Sequence, residues 1–217
     1  MPSRSRARLL STRTVLICVA CIAIADLLIW RWRAPYAIEA LFDEPAHLAT
    51  GLVALAAFGL WFEGPVLLAV LIGSVLIDVD HVPHVLGSGI LEHGVPRPYT
   101  HSLGTILVVV AALAWLRNRQ ARRFTTVVAL ALAVHFVRDA AEPGGPGVSL
   151  LWPLSDHGFT IAYGWYAGAI AVLAAVALRR RRTIDQAATS TSTPTSVPTA
   201  TSTSTSTSTS TGGSTTR

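Results

Sequence analysis

The amino-acid sequence predicts an all-α protein: a polytopic membrane helix bundle of about six transmembrane helices with a disordered C-terminal tail. Hydrophobic residues make up 51% of the chain and charged residues only 13%, whereas a soluble domain carries about 25% charged residues. The apolar residues form six runs separated by short polar segments. From residue 183 onward serine and threonine dominate, and such a segment has almost nothing to bury.

The apolar runs cover residues 15–30, 46–62, 65–77, 103–116, 124–137 and 161–178. The second run is opened by Asp43-Glu44-Pro45, which we expect to form a first helical turn, where proline is tolerated and acidic side chains suit the helix dipole. The third, fourth and fifth have only 13 or 14 residues, whereas a spanning helix needs about 20. The deficit disappears if the neighbouring polar motifs form terminal turns of the same helices. We therefore expect a basic cytoplasmic leader over 1–13, a helical transmembrane domain over 14–182 and the tail over 183–217.

The first apolar run has two interpretations. Small residues before Asp26 resemble a signal-peptide cleavage site. The run continues to Trp30, however, and contains the charged Asp26, so a retained anchor helix is favoured. Cys18 and Cys21 lie inside this run with no second motif beside them, and we interpret both as small packing residues.

Arginine clusters predict the topology of the chain. They precede the first run, separate the fourth from the fifth at residues 117–123, and follow the sixth at 179–182. Arginine-rich segments prefer the cytoplasm, so six spans place both termini inside, although Arg31 and Arg33 then fall outside. All seven histidines then fall on the outer side of an inner (cytoplasmic) membrane. The net charge of +5 is explained by topology, and no nucleic-acid partner is expected.

The polar motifs at the outer ends of the runs carry metal-ligand chemistry. His135 and Asp139 are four residues apart and share a helix face, as do Asp78 and His81 three residues apart. The candidate ligands are His47, Asp78, Asp80, His81, His101, His135 and Asp139. Imidazole with carboxylate suits a divalent metal, with zinc first and manganese or iron as alternatives. The surplus of carboxylates would allow a two-metal site, which suits phosphoester hydrolysis.

Other interpretations of single residues stay open. His47 alone is typical of an intramembrane histidine bonded to a carbonyl, and His84 and His93 lie beside proline or glycine in a loop where water would solvate them. Ser102 adjoins His101, but adjacent side chains point in different directions and do not form a catalytic dyad. Asp26 could pair with an arginine.

An ordered set of motifs resembles a known family. It comprises His47, then Gly73 before Asp78-x-Asp80-His81, Arg97 before Thr100-His-Ser-Leu103, His135-x-x-x-Asp139, and Gly147-Val before Leu151-x-Pro153. It is similar to the YdjM-type family of bacterial and archaeal inner-membrane proteins, described as metal-dependent hydrolases and once labelled LexA-binding. The resemblance covers about residues 43–157 and implies a distant similarity to zinc-dependent phospholipase C enzymes. Ile77 and Val134 depart from the family's usual Pro and Ser, and neither change removes a ligand.

Together these features predict a membrane-embedded metal-dependent hydrolase acting on a lipid or phosphoester at the outer membrane face. In this hypothesis Asp78 or Asp80 is the general base, and Arg138 or Arg97 holds an anionic group of the substrate. The alternative is a metal-binding transporter or sensor without hydrolysis. Transporter sites lie near the midplane between repeated halves, whereas these motifs cluster at one face. A third hypothesis is that the polar groups only pack helices together.

Overall fold

The computed structural model describes residues 10–32, 36–60, 63–90 and 97–191. Within those residues the regular structure is helical, apart from one isolated bridge between Val148 and Phe159, which confirms the all-α class. The helices are α1 (Thr12–Trp32), α2 (Tyr36–Ala57), α3 (Gly64–Ser74), a 3₁₀ helix (Leu76–His81), α4 (Val82–Val85), α5 (Leu103–Trp115), α6 (Arg119–Ala141) and α7 (Tyr163–Thr191).

Three segments of the described chain are long and apolar enough to cross a membrane: Thr12–Trp32, Gly64–Val85 and Arg119–Ala141. Helix α3 alone is too short to cross a membrane and reaches the required length only together with the 3₁₀ helix and α4. This agrees with the prediction that the polar motif extends the third apolar run by its terminal turns. Helix α5 is apolar but shorter. The predicted membrane class is therefore supported, while six passes remain a prediction.

Two buried apolar clusters hold the helices together, and α2 contributes to both. Val15 of α1, Val53 of α2 and Ile170 of α7 belong to the first cluster. Leu55 of α2 and Val127 of α6 belong to the second. Because neighbouring residues of one helix face different partners, α2 is the central element of the bundle.

Gly73 allows α3 and α6 to approach closely. A Cβ atom at this position would lie 2.7 Å from the carbonyl oxygen of Val128 and 2.7 Å from the Cβ of Ala131. Any side chain would therefore separate the two helices. This contact places the polar end of α3 beside the polar end of α6.

Two boundaries differ from the sequence expectation. Helix α2 begins at Tyr36, so Pro45 lies inside it and not in its first turn, and His47 lies in mid-helix. Pro45 has no N–H to donate to the carbonyl of Leu41 four residues earlier, so the helix continues through it at the loss of one backbone hydrogen bond. Helix α7 continues to Thr191, beyond the predicted start of the tail at 183; residues 192–217 and His93 lie outside the described residues, as does most of the leader.

Helix α1 is integrated into the bundle. Cys18 is buried in the first apolar cluster and is a free thiol, as is Cys21, in keeping with the packing interpretation. Asp26 accepts hydrogen bonds from Arg138 of α6, at 2.6 Å, and from the hydroxyl of Tyr163, at 2.8 Å. These contacts support an anchor helix that stays part of the folded protein.

Candidate metal centre

The structure brings all seven predicted metal ligands into one cluster. Four elements supply them: α2, the 3₁₀ helix, the turn before α5, and α6. The ligands form two sets without a shared residue, and within each set the ligand atoms lie within 4.8 Å of one another. One is Asp78, Asp80, His81 and His101; the other is His47, His135 and Asp139. The two sets form a single centre, because His101 of the first set lies within 3.1 to 3.6 Å of His135 and Asp139 of the second.

Four ligand atoms converge at the middle of this centre. The Nε2 atom of His101 lies 3.0 Å from Oδ1 of Asp78, 3.1 Å from Nε2 of His135 and 3.6 Å from Oδ2 of Asp139. The Nε2 atom of His135 lies 3.5 Å from the same Asp78 oxygen and 3.3 Å from the same Asp139 oxygen. Zinc bonds of 2.0–2.1 Å place tetrahedral ligands about 3.3 to 3.4 Å apart, so these spacings fit a four-coordinate metal.

The outer nitrogen of each ring has its own neighbour. Nδ1 of His135 is 3.3 Å from the carbonyl oxygen of Ser74, an acceptor that keeps the proton on Nδ1 and leaves the Nε2 lone pair facing the centre. Nδ1 of His101 is 3.2 Å from Oδ2 of Asp80. Carbonyl and carboxylate partners of this kind orient metal-bound histidines. Asp80 therefore lies behind His101, on the side of the ring that faces away from the centre, where it can orient the ring.

Unpaired polar atoms in the described residues support a cation at this centre. Buried side-chain polar atoms in proteins nearly always have a partner. Here several buried ligand-type atoms have no hydrogen bond within the described residues. Among the ligand oxygens they are Oδ2 of Asp78 and Oδ2 of Asp139. The residues present thus fit a divalent metal by donor type, spacing and unmet bonding capacity.

The electrostatics of the centre also favour a cation. Burial by itself lowers the pKa of His101, but hydrogen bonds that its ring donates to the carboxylates of Asp78 and Asp80 outweigh burial and raise the pKa above its usual range. His101 and His135 are 0% and 1% exposed. A buried pocket that draws positive charge so strongly is suited to holding metal ions.

The family model of the YdjM inner membrane protein matches residues 43–203. The chain belongs to the YdjM inner membrane protein family. The match begins at Asp43, so it includes every candidate ligand and leaves out α1. Searches of curated proteins and of solved structures found no match.

In this YdjM protein Arg138 has a different environment from the one the sequence predicted. It is 5% exposed, and its Nη1 donates to Asp26 at 2.6 Å and to the hydroxyl of Tyr166 at 3.1 Å. Its Nη2 and Nε both donate to Oδ1 of Asp43, at 2.6 and 3.2 Å. With its donors engaged in this way, Arg138 joins α1, α2, α6 and α7.

Arg97 is the other arginine of the YdjM centre. It is 8% exposed and pairs with Glu142, while its Nη1 lies 3.7 Å from Oδ2 of Asp139. Its Nε has no hydrogen-bond partner among the described residues. Burial opposes its charge, but Asp139 and Glu142 raise the pKa of the guanidinium group further, so it stays positive beside the ligands.

Sequence reasoning missed Asp43 and Glu44, which it assigned to the helix dipole. Oδ2 of Asp43 lies 3.2 Å from Nε2 of His47, and Oε2 of Glu44 is buried without a partner in the described residues. Burial, with the charge of Asp78 beside it, raises the pKa of Glu44 to about 8. The four-residue spacing of Asp43 and His47 could have indicated that both side chains share a helix face. That inference holds only if α2 begins before Pro45, as it does in the structure.

Two histidines of the described chain do not join the centre. His84 and His157 are exposed, which agrees with the solvated interpretation of His84.

Asp80 and His81 are neighbours at the edge of the centre, where Nδ1 of His81 lies 2.9 Å from Oδ1 of Asp80. The half-buried Asp78 and Asp80 mark the side of the centre that is nearest to solvent.

Proposed function

We propose that this YdjM-family protein is a membrane-embedded metal-dependent hydrolase, with zinc as the first choice of metal, that cleaves a lipid or phosphoester at the outer membrane face. The observation that carries the proposal is the convergence of Asp78, His101, His135 and Asp139 at 3.0 to 3.6 Å. Such a ligand set also suits manganese or iron.

The metal supplies the chemistry that the side chains lack. A divalent cation lowers the pKa of its water to about 7 and polarises the oxygen of the bond to be cleaved. The chain holds the ligands in place. Ser74 orients His135 through its carbonyl, and Asp80 stands behind His101. In this proposal Asp80 is thus a positioning residue, and Asp78 is a ligand.

Glu44 is the best placed group to accept the proton of the attacking water. Its Oε2 is buried and makes no hydrogen bond in the described residues, and it lies beside the ligand Asp78. A divalent cation at the centre would favour the ionised form of Glu44. When a water oxygen bonds to the phosphorus or carbonyl carbon, that carboxylate would take the water proton and pass it to the departing alkoxide. Arg97, with an unpaired Nε, is the better placed arginine for an anionic group of the substrate.

An apolar cavity supports a lipid as the substrate. It has a volume of about 220 Å³ and is lined only by apolar side chains of α5, α6 and the loop after α6, among them Leu103, Ile106 and Phe136. The ring of Phe136 lies 5.4 Å from that of His101 and 5.7 Å from that of His135. An acyl chain in the cavity would therefore place its head group near the ligands.

The arginine clusters support an outward-facing site with both termini in the cytoplasm. A reporter fused within residues 85–99 tests this orientation. Alkaline phosphatase is active only outside the cytoplasm, and we expect activity from that fusion. A fusion in the loop at residue 118 is the matched control and should be inactive. The reverse pattern would overturn the proposed side of the membrane.

Metal analysis of detergent-purified protein tests the function itself. We expect metal in the wild type and in His157→Ala, whose histidine is exposed, and a loss of metal in His135→Ala. The same samples are then given phospholipid in mixed micelles, with and without a chelator. Product that is released only by metal-containing protein supports the hydrolase. Metal without hydrolysis of any lipid or phosphoester supports the transporter or sensor alternative, and wild type without metal contradicts both.

A further inference from the structure

The carboxylate of Asp139 faces two different groups of ligands. Its Oδ2 lies 3.3 Å from Nε2 of His135 and 3.6 Å from Nε2 of His101. Its Oδ1 lies 3.2 Å from Nε2 of His47. The side chain is 2% exposed, so both oxygens are removed from water. A carboxylate with one oxygen in each of two ligand groups has the arrangement of a bridge between two cations.

His47 has two acceptors at the same distance. Its Nε2 is 3.2 Å from Oδ1 of Asp139 and 3.2 Å from Oδ2 of Asp43. A single ring N–H serves one acceptor well, so the second carboxylate gains little from the imidazole alone. With a lone pair on Nε2, the nitrogen and the two carboxylate oxygens 3.2 Å from it could instead all bind one cation.

Arg138 fixes the orientation of Asp43. It donates twice to Oδ1 of Asp43, at 2.6 and 3.2 Å, and leaves Oδ2 directed at His47. The two rings of His47 and His135 are stacked with centroids 4.0 Å apart. The possible cation position beside Nε2 of His47 is therefore next to the central metal position. This agrees with two-metal sites, in which the ions lie about 3.5 to 4 Å apart.

Carboxylates outnumber guanidinium groups around the centre. Six carboxylates lie in its ion-pair network: Asp26, Asp43, Asp78, Asp80, Asp139 and Glu142. Two guanidinium groups, those of Arg97 and Arg138, oppose them. This excess of negative charge in a mostly buried region favours the binding of divalent cations.

We propose that the protein holds a second divalent cation between Nε2 of His47, Oδ2 of Asp43 and Oδ1 of Asp139, with Asp139 bridging to the central metal. This inference rests on the proposed function, which by itself requires only one ion. A paired centre favours phosphoesters within the proposed substrate class, because two ions can stabilise both the attacking and the leaving oxygen of an in-line displacement.

The test is the number and coupling of bound metals in detergent-purified full-length protein loaded with Mn²⁺. We expect about two ions per chain in the wild type and a spin-coupled electron paramagnetic resonance spectrum from the bridged pair. Asp43→Asn keeps an oxygen for Arg138 and replaces only the ligand oxygen. It should bind about one ion with the spectrum of isolated Mn²⁺, and His47→Gln should behave in the same way.

His157→Ala is the control and should match the wild type in both measurements. The wild-type spectrum decides the question even if a variant fails to fold. A single isolated ion in the wild type overturns the second site and leaves the proposed hydrolase standing. Two uncoupled ions, or a coupled pair unchanged in folded Asp43→Asn and His47→Gln, overturn this assignment of ligands. Protein without any metal overturns the proposed function as well.

Discussion

Replacing Arg138 by Met would test whether this arginine joins the helices or serves the reaction. Met keeps the apolar stem and removes the guanidinium group, which leaves Asp26 and Asp43 without their cation. Removing one partner from a buried ion pair costs about 3 to 5 kcal/mol. Asp26 is 8% exposed at its side chain and Asp43 is 26% exposed, so water can relieve part of the loss at Asp43. We therefore expect about 3 kcal/mol, near the lower end of that range.

The matched control is Arg181→Met in α7. Arg181 pairs with Asp185 on the surface of the helix, where the two side chains are 31% and 55% exposed. Exposed pairs of this kind contribute about 0 to 1 kcal/mol. Both variants remove one arginine paired with a carboxylate, so the difference between them reports burial.

The assay is equilibrium unfolding in mixed micelles with increasing SDS, followed by tryptophan fluorescence. A cycle with Asp26→Asn isolates the coupling, which should be positive because the two residues bond at 2.6 Å. If Arg138→Met costs no more than Arg181→Met, the packing role is wrong. Full stability with loss of hydrolysis would instead restore Arg138 as the residue that holds the anion.

Three further predictions concern separate parts of the fold. Gly73→Ala should lower the free energy of unfolding by about 1 to 3 kcal/mol in the same micelle assay, because its Cβ would meet a carbonyl of α6 at 2.7 Å; an unchanged value would contradict the close helix contact. Asp80→Asn should weaken metal binding about 10 to 100-fold without abolishing it, measured by competition with a coloured chelator, because it stands behind His101; complete loss would instead make Asp80 a ligand. Intact mass spectrometry of membrane-purified protein should find α1 retained, because this helix carries Asp26, a buried partner of Arg138; a mature chain that begins at Asp26 or later would refute this.

The sequence was sufficient to identify the candidate ligands because both the membrane and metal chemistry constrain residue types strongly. Charged and imidazole side chains at the ends of apolar helices are costly and mark functional sites. The i,i+4 pair His135 and Asp139 shares a helix face for any regular helix. The all-α class followed from the apolar composition in the same way, and the family match agrees with the motifs that carried the resemblance.

The roles within the cluster depended on contacts between distant parts of the chain. Both arginines are conspicuous in the sequence, but only the fold places Arg138 against Asp26 and Asp43 and leaves Nε of Arg97 unpaired in the described residues. Asp43 and Glu44 were overlooked because Pro45 suggested a helix start, whereas tertiary packing extends α2 to Tyr36. Local propensity is a weak guide where packing decides the boundary.

The sequence by itself therefore determined the class of protein, the residue types of the centre and most of its members. Only the tertiary structure decided which oxygen of each carboxylate faces which imidazole. The contact through Gly73 places the polar ends of α3 and α6 together, and the turn before α5 adds His101 between them. The physical reason is that hydrophobic patterning acts along each helix, whereas the ligand geometry is set by close packing between helices that are far apart in the chain.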